Sequence, residues 1–113
     1  MIAGVTLVTG ATGLVGNNVV RRLLADGRRV RVLARPGFNE RIFAGLQIEY
    51  AAGDIRDADA VIGAMKGVEC VVHSAGYVQL GRRDLEMHRA INVEGTRNVA
   101  AAALAAQARM IHV

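Results

Sequence analysis

The feature that most constrains this chain is the run Thr9-Gly10-Ala11-Thr12-Gly13-Leu14-Val15-Gly16, set between the apolar segment Gly4 to Thr9 (GVTLVT) and a helical pattern. Glycine at position 10 permits a tight turn off a strand. Glycine at 13 lets a phosphate group approach the backbone, and glycine at 16 lets the following helix pack closely on the strand. A helix beginning here presents unpaired N–H groups and a partial positive charge, which together favour a bound anion. Glycines also mark ordinary turns. The placement between strand and helix is what makes this triplet specific.

The rest of the chain repeats the same alternation. Valine- and isoleucine-rich runs at Arg29 to Ala34, Gln47 to Ala51, Glu69 to His73 and Met110 to Val113 predict four more strands. The runs at Gly4 to Thr9 and Glu69 to His73 are nearly continuously apolar, as strands covered on both faces are. Between the first two strands, Val15, Val19, Val20, Leu23 and Leu24 recur at helical spacing, with Asn17, Asn18, Arg21 and Arg22 opposite and Gly27 placed to end the helix. A second helix is predicted over Ala58 to Lys66, with Asp57 as N-cap and Gly67 after it, and a third over Leu85 to Ala106. Pro36 to Gly45 fits either a short helical turn or a loop. The expected fold is α/β, a Rossmann-type doubly wound parallel sheet of about five strands, formed as one domain over residues 1–113.

Composition removes several alternatives. The 52% apolar content over 113 residues supplies one buried core. A single cysteine, Cys70, excludes an internal disulfide framework and reads as an inert core thiol. No run of about 18 apolar residues suggests a membrane span, and no basic stretch with a small-residue cleavage site follows Met1, so a cytoplasmic protein is expected. The charge of +4 comes from dispersed arginines, and with aromatics at 4% there is no stacking platform for nucleic acid. The arginines read as a solvated surface, with one or two assigned to an anionic cofactor. His73, His88 and His112 lack metal-ligand spacing, and no metal is expected.

Further landmarks follow the glycine run in order: Gly53-Asp54-Ile55-Arg56 after the third strand, Val72-His73-Ser74-Ala75-Gly76 after the fourth, and Asn92-Val93-Glu94-Gly95-Thr96 in the last helix. Together they resemble the extended short-chain dehydrogenase/reductase family, the NAD(P)-dependent epimerases, dehydratases and reductases, and the resemblance covers the whole chain. It implies cofactor contacts from Gly10, Ala11, Thr12, Gly13, Leu14, Val15 and Gly16, from Asp54 and Ile55 at the adenine, and from Ser74, Ala75 and Gly76 toward the ribose and nicotinamide. Asp54 is open to a second reading as a turn or capping aspartate. His73 reads as a hydrogen-bonding position at a strand end more readily than as a catalytic base. Asn92 matches an asparagine that supports the active site in short-chain dehydrogenases, its amide holding backbone or an ordered water, and a purely structural role stays open.

For the cofactor, NAD enzymes of this fold place an acid about 20 residues past the glycines. Here the second strand ends Val32-Leu33-Ala34-Arg35-Pro36, which puts a guanidinium where that acid would sit and offers a partner for a 2′-phosphate. NADP(H) is therefore expected over NAD(H), with a solvated loop arginine as the alternative. The resemblance also implies a serine or threonine, a tyrosine and a lysine four positions after it as the catalytic set. That set is absent. Tyr50 is followed four positions on by Asp54, Tyr77 by Gly81, and the lone lysine, Lys66, has Ile62 four positions before it. The expectation is a portion of a longer enzyme, truncated in the fifth strand, lacking its substrate domain and homodimeric when full length. Its small-molecule substrate would be a carbonyl, alcohol or nucleotide sugar, chosen elsewhere except for the loop Gly76 to Arg83. A non-catalytic dinucleotide-binding regulatory module is the other class left open.

Overall fold

The computed structural model describes residues 4–77 and 84–113; residues 78–83, and with them most of the expected substrate loop, lie outside the described residues. Strands β1 (Val5–Thr9), β2 (Arg29–Ala34), β3 (Glu49–Ala52), β4 (Val68–His73) and β5 (Arg109–His112) form one parallel sheet in the order β3-β2-β1-β4-β5. The chain leaves β1 leftward to β2 and β3, then returns to β4 on its other side, so the sheet switches direction at β1. In open α/β sheets that switch point, at the carboxyl ends of the strands, is where ligands bind.

β1 is buried along its whole length because helices cover both faces of the sheet. One apolar layer joins Leu7, Leu33, Met65, Val71 and Val99 beneath α2 (Ala58–Ala64) and α4 (Thr96–Ala105). The other joins Val8, Val20, Val32, Phe43 and Val72 beneath α1 (Leu14–Ala25). Asp57 caps α2 as its residue type predicts, accepting from the backbone N–H groups of Asp59 and Ala60. The turn Glu40–Phe43 is a short 3-10 helix, which resolves the segment between Pro36 and Gly45.

Several expectations change. The stripe that α1 buries is Gly16 and Val20, with Val19, Leu23 and Leu24 half-buried, whereas Val15 is 51% exposed. Gly16 lies against the turn after β1, and that rotates its neighbour outward. The third strand starts at Glu49, because its ladder partner is Arg31 and pairing runs only to Ala34 with Ala52. The helix expected over Leu85 to Ala106 is helical throughout but not uniform: α3 (Leu85–His88) passes into a π-helical segment, Arg89–Gly95, before α4. Cys70 is only half-buried, on β4 where it pairs with the exposed Arg109 of the edge strand β5, and burial pushes its thiol pKa up.

Not all arginines are solvated. The Arg31 guanidinium donates to the carbonyls of Ala64 at 2.7 Å and Lys66 at 2.6 Å. It caps the carboxyl end of α2, where unpaired carbonyls and the helix dipole both favour a cation.

Candidate functional site: a dinucleotide cleft at the strand ends

The carboxyl ends of β1 to β4 open into a cleft of about 590 Å³. Its lining takes Thr9 to Gly13 from the glycine turn, Leu33 to Phe38 from the end of β2, Gly53 to Arg56 from the end of β3, and Ser74 to Tyr77 from the end of β4, with Met87 and Ile91 across from them. Volume and shape are those of a small-molecule or cofactor site.

The glycine turn is built by close approaches. Gly10 has φ +69°, and a Cβ there would lie 2.5 Å from the Ala75 nitrogen, so the turn off β1 and the exit from β4 touch backbone to backbone. A Cβ on Gly16 would lie 2.1 Å from the Gly10 carbonyl oxygen, which is why only glycine allows α1 to seat on the turn. Gly13 differs: its backbone is extended, and an added Cβ would meet nothing nearer than the Gly10 oxygen at 3.4 Å. The fold does not need glycine at 13. What its bare backbone preserves is open space at the N-terminus of α1, where Gly13 is the N-cap, no side chain caps the helix and the first turn holds no acid. Uncapped N–H groups beside a cradle that a Cβ would fill suit a pyrophosphate. Leu14 and Val15, expected as contacts, have side chains 82% and 51% exposed and lie outside the cleft lining.

A buried polar chain fixes the strand ends that carry the cleft. Ala75 N–H donates to Thr9 Oγ1 at 3.1 Å, Thr9 Oγ1 lies 2.7 Å from His73 Nδ1, and His73 Nε2 lies 3.0 Å from Thr96 Oγ1. One assignment uses every donor: the Thr9 hydroxyl donates to Nδ1, and Nε2–H donates to Thr96. Ser74 Oγ adds a 2.7 Å donation to the Thr9 carbonyl. His73 is fully buried, and burial, with the nearby His112 ring second, lowers its pKa from 6.5 to about 4. It is a neutral strut between β1, β4 and α4, in keeping with its reading as a hydrogen-bonding position.

The sign of the resulting pH effect follows from linkage. The folded pKa lies below the unfolded one, so the unfolded chain takes up the proton first, and this contribution is complete above about pH 6.5 and lost as pH falls toward about 4. Urea midpoints measured from pH 8 to 4 are expected to fall across that window. In His73→Asn, less stable at neutral pH, the fall should be shallower; an equally steep fall would assign it to other groups.

Asn92 sits in the π-helical segment and holds backbone, which fits both of its readings. Its Oδ1 accepts from Tyr77 N–H at 2.8 Å and its Nδ2 donates to the Tyr77 carbonyl at 2.9 Å. Asn98, which the sequence reading passed over, donates to the Ile55 carbonyl at 2.8 Å and fastens the loop after β3. Asp54 and Ile55 both line the cleft, and the Asp54 carboxylate is bound by Arg56. Arg35 lines the same end of the cleft, exposed and with no ion-pair partner among the described residues. Also among the described residues, no cluster of His, Cys, Asp or Glu could hold a metal ion, and no helix is long and apolar enough to cross a membrane.

Fold and cleft together define a Rossmann-type nucleotide-binding unit. The model of the NAD dependent epimerase/dehydratase family matches residues 6–113, and the chain belongs to that family, within the extended short-chain dehydrogenase/reductases. It is 44% identical over 92 residues to sterol demethylase protein B of Methylococcus capsulatus, covering 81% of this chain and 28% of that protein. It is 40% identical over 110 residues to a ceramide reductase of Caulobacter vibrioides, covering 97% of this chain and 34% of the relative. A solved short-chain dehydrogenase/reductase superfamily protein from Agrobacterium tumefaciens, with bound NAD, superposes with a TM-score of 0.80 at 35% identity over 96% of this chain and 31% of that one. The chain thus spans about a third of the length of the proteins it matches. The family is described as NAD dependent, and the Agrobacterium relative holds NAD.

Proposed function

We propose that this chain is the NADP(H)-holding part of a reductase that transfers hydride between the nicotinamide and a carbonyl or alcohol substrate. The bare N-terminus of α1, opening onto the cleft beside Gly13, is the observation that carries this reading. In it, the backbone of the glycine turn holds the pyrophosphate, Asp54 accepts the exocyclic amino group of the adenine, and Ser74, Ala75 and Gly76 border the ribose and nicotinamide. The bound dinucleotide supplies the hydride. The chain's own residues bind and orient it, and the Thr9–His73–Thr96 chain keeps the ends of β1 and β4 at fixed spacing beneath it.

The preference for NADP(H) rests on Arg35. It stands at the end of β2, where relatives specific for NAD carry an acid, while Leu33 and Ala34 before it are buried and apolar. The other guanidinium at this end, Arg56, is already held by Asp54, which leaves Arg35 to meet a 2′-phosphate. Reduction is favoured by the ceramide reductase relative, whose name gives its activity. Calorimetric titration with NADPH and NADH tests the assignment. Arg35→Ala is expected to weaken NADPH by about 1.5–3 kcal/mol, the range for hydrogen bonds to charged groups, and to leave NADH nearly unchanged. Equal losses for both would overturn it.

A further inference from the structure

Among the described residues, Asp54 is the one carboxylate in the cleft lining, and its acceptor capacity is nearly spent. Its Oδ1 accepts from the Arg56 backbone N–H at 2.9 Å and from Arg56 Nε at 3.1 Å, and its Oδ2 accepts from Arg56 Nη2 at 2.7 Å. A carboxylate offers about four lone-pair sites. Three are taken by one residue, which leaves a single site, on Oδ2. The contact is two-pronged from the side chain and closed by the backbone in an Asx-type turn, so the carboxylate plane is set by Arg56 and not by the free rotation of Asp54. Arg56 is itself anchored at the far side: its Nη1 reaches the Met87 sulfur on α3 at 3.3 Å.

We propose that Arg56 is a positioning residue for the base of the dinucleotide, holding Asp54 so that the one free acceptor site on Oδ2 meets the exocyclic amino group and selects adenine over hypoxanthine. The inference rests on the cofactor reading above and adds to it a residue that acts through Asp54. Electrostatics point the same way. The Arg56 side chain leads the influences that lower the Asp54 pKa, ahead of the opposing effect of burial, and Arg35 contributes a further, weaker pull. The carboxylate is therefore kept ionised, and accepting, well below neutral pH. An arginine is suited to this task where a lysine is not, because a planar fork engages both oxygens at once and an ammonium engages one.

The test compares NADPH with its hypoxanthine analogue, in which a carbonyl oxygen replaces the amino group and would face the carboxylate acceptor to acceptor. Both are titrated into the chain, Arg56→Ala and Arg56→Lys, with circular dichroism confirming the fold of each. The parent is expected to prefer the adenine form by roughly 10- to 100-fold, the range of a hydrogen bond to a charged group. Arg56→Ala should reduce that preference to within about threefold, and Arg56→Lys should restore only part of it. Without ligand, the Asp54 carboxyl carbon followed by NMR should titrate below 3.8 in the parent and move up toward 3.8 in Arg56→Ala. If the parent discriminates and Arg56→Ala discriminates equally, Arg56 is overturned while the cofactor reading stands. If the parent binds neither dinucleotide, both fall together.

Discussion

Gly13→Val is expected to fold as the parent does and to lose dinucleotide binding, whereas Gly16→Val is expected not to fold stably at all. The two glycines belong to one motif, three positions apart, and the structure separates their roles. At Gly13 the backbone has φ −86° and ψ 173°, an extended conformation that a β-branched residue adopts readily, and the nearest atom to an added Cβ is 3.4 Å away. The valine would project over the uncapped N–H groups of α1 and exclude the pyrophosphate. Hydrogen bonds to a charged group contribute about 1.5–3 kcal/mol each, so losing two weakens binding by on the order of a hundredfold or more. At Gly16 the Cβ would overlap the Gly10 carbonyl oxygen at 2.1 Å and approach the Ala11 Cα at 2.8 Å, and both are backbone atoms that cannot rotate aside. Overpacking of this kind costs typically about 1–3 kcal/mol and more where backbone must move. Circular dichroism on heating and NADPH titration together distinguish the two. Wild-type affinity in a folded Gly13→Val would refute the placement of the phosphate.

Most of the fold was legible because its signals are local and repeated. Apolar runs alternating with helical periodicity predicted five strands, and the glycine run marked the turn that lines the cleft. What escaped depends on contacts distant in sequence. Val15 matches the helical stripe as well as Val20 does, and only the seating of Gly16 under the Gly10 carbonyl turns it outward. The π-helical segment leaves no mark in a stretch whose composition is simply helical. Arg31 read as surface charge, since nothing near it in sequence reveals that the carboxyl end of α2 lies above β2. The cleft shows the same division. Asp54 was legible from its place after a glycine at a strand end, but its near saturation by Arg56 was not. Asn98, which fastens the loop after β3 from α4, carries no sequence signal beyond a polar residue on a helix, and Thr96, though part of a family landmark, gave no sign of its bond to His73.

The 113-residue chain, assayed by itself with saturating NADP(H), is expected to show no turnover of any carbonyl, alcohol or nucleotide-sugar substrate. Hydride transfer to a carbonyl needs a proton delivered to its oxygen, and positioned general acid/base catalysis typically contributes about 10²- to 10⁴-fold. The sequence holds no tyrosine followed four positions on by lysine, and the groups near the cleft cannot stand in for one. Tyr77 has its pKa raised, by burial and by the Asp84 carboxylate to which its hydroxyl donates at 3.1 Å, which is the opposite of what a proton-shuttling phenol requires. His73 is neutral, fully buried, and has both ring nitrogens engaged by threonines. Asn92 spends its amide oxygen and one amide proton on the Tyr77 backbone. Among the described residues, what is left is a cleft suited to a dinucleotide without a group to move the accompanying proton. NADPH absorbance followed over hours in the presence of candidate carbonyl compounds reads this directly. A steady, cofactor-dependent rate that disappears in Asn92→Ala or His73→Ala would show that a complete catalytic centre is already present, with the proton supplied by groups these hydrogen bonds otherwise engage.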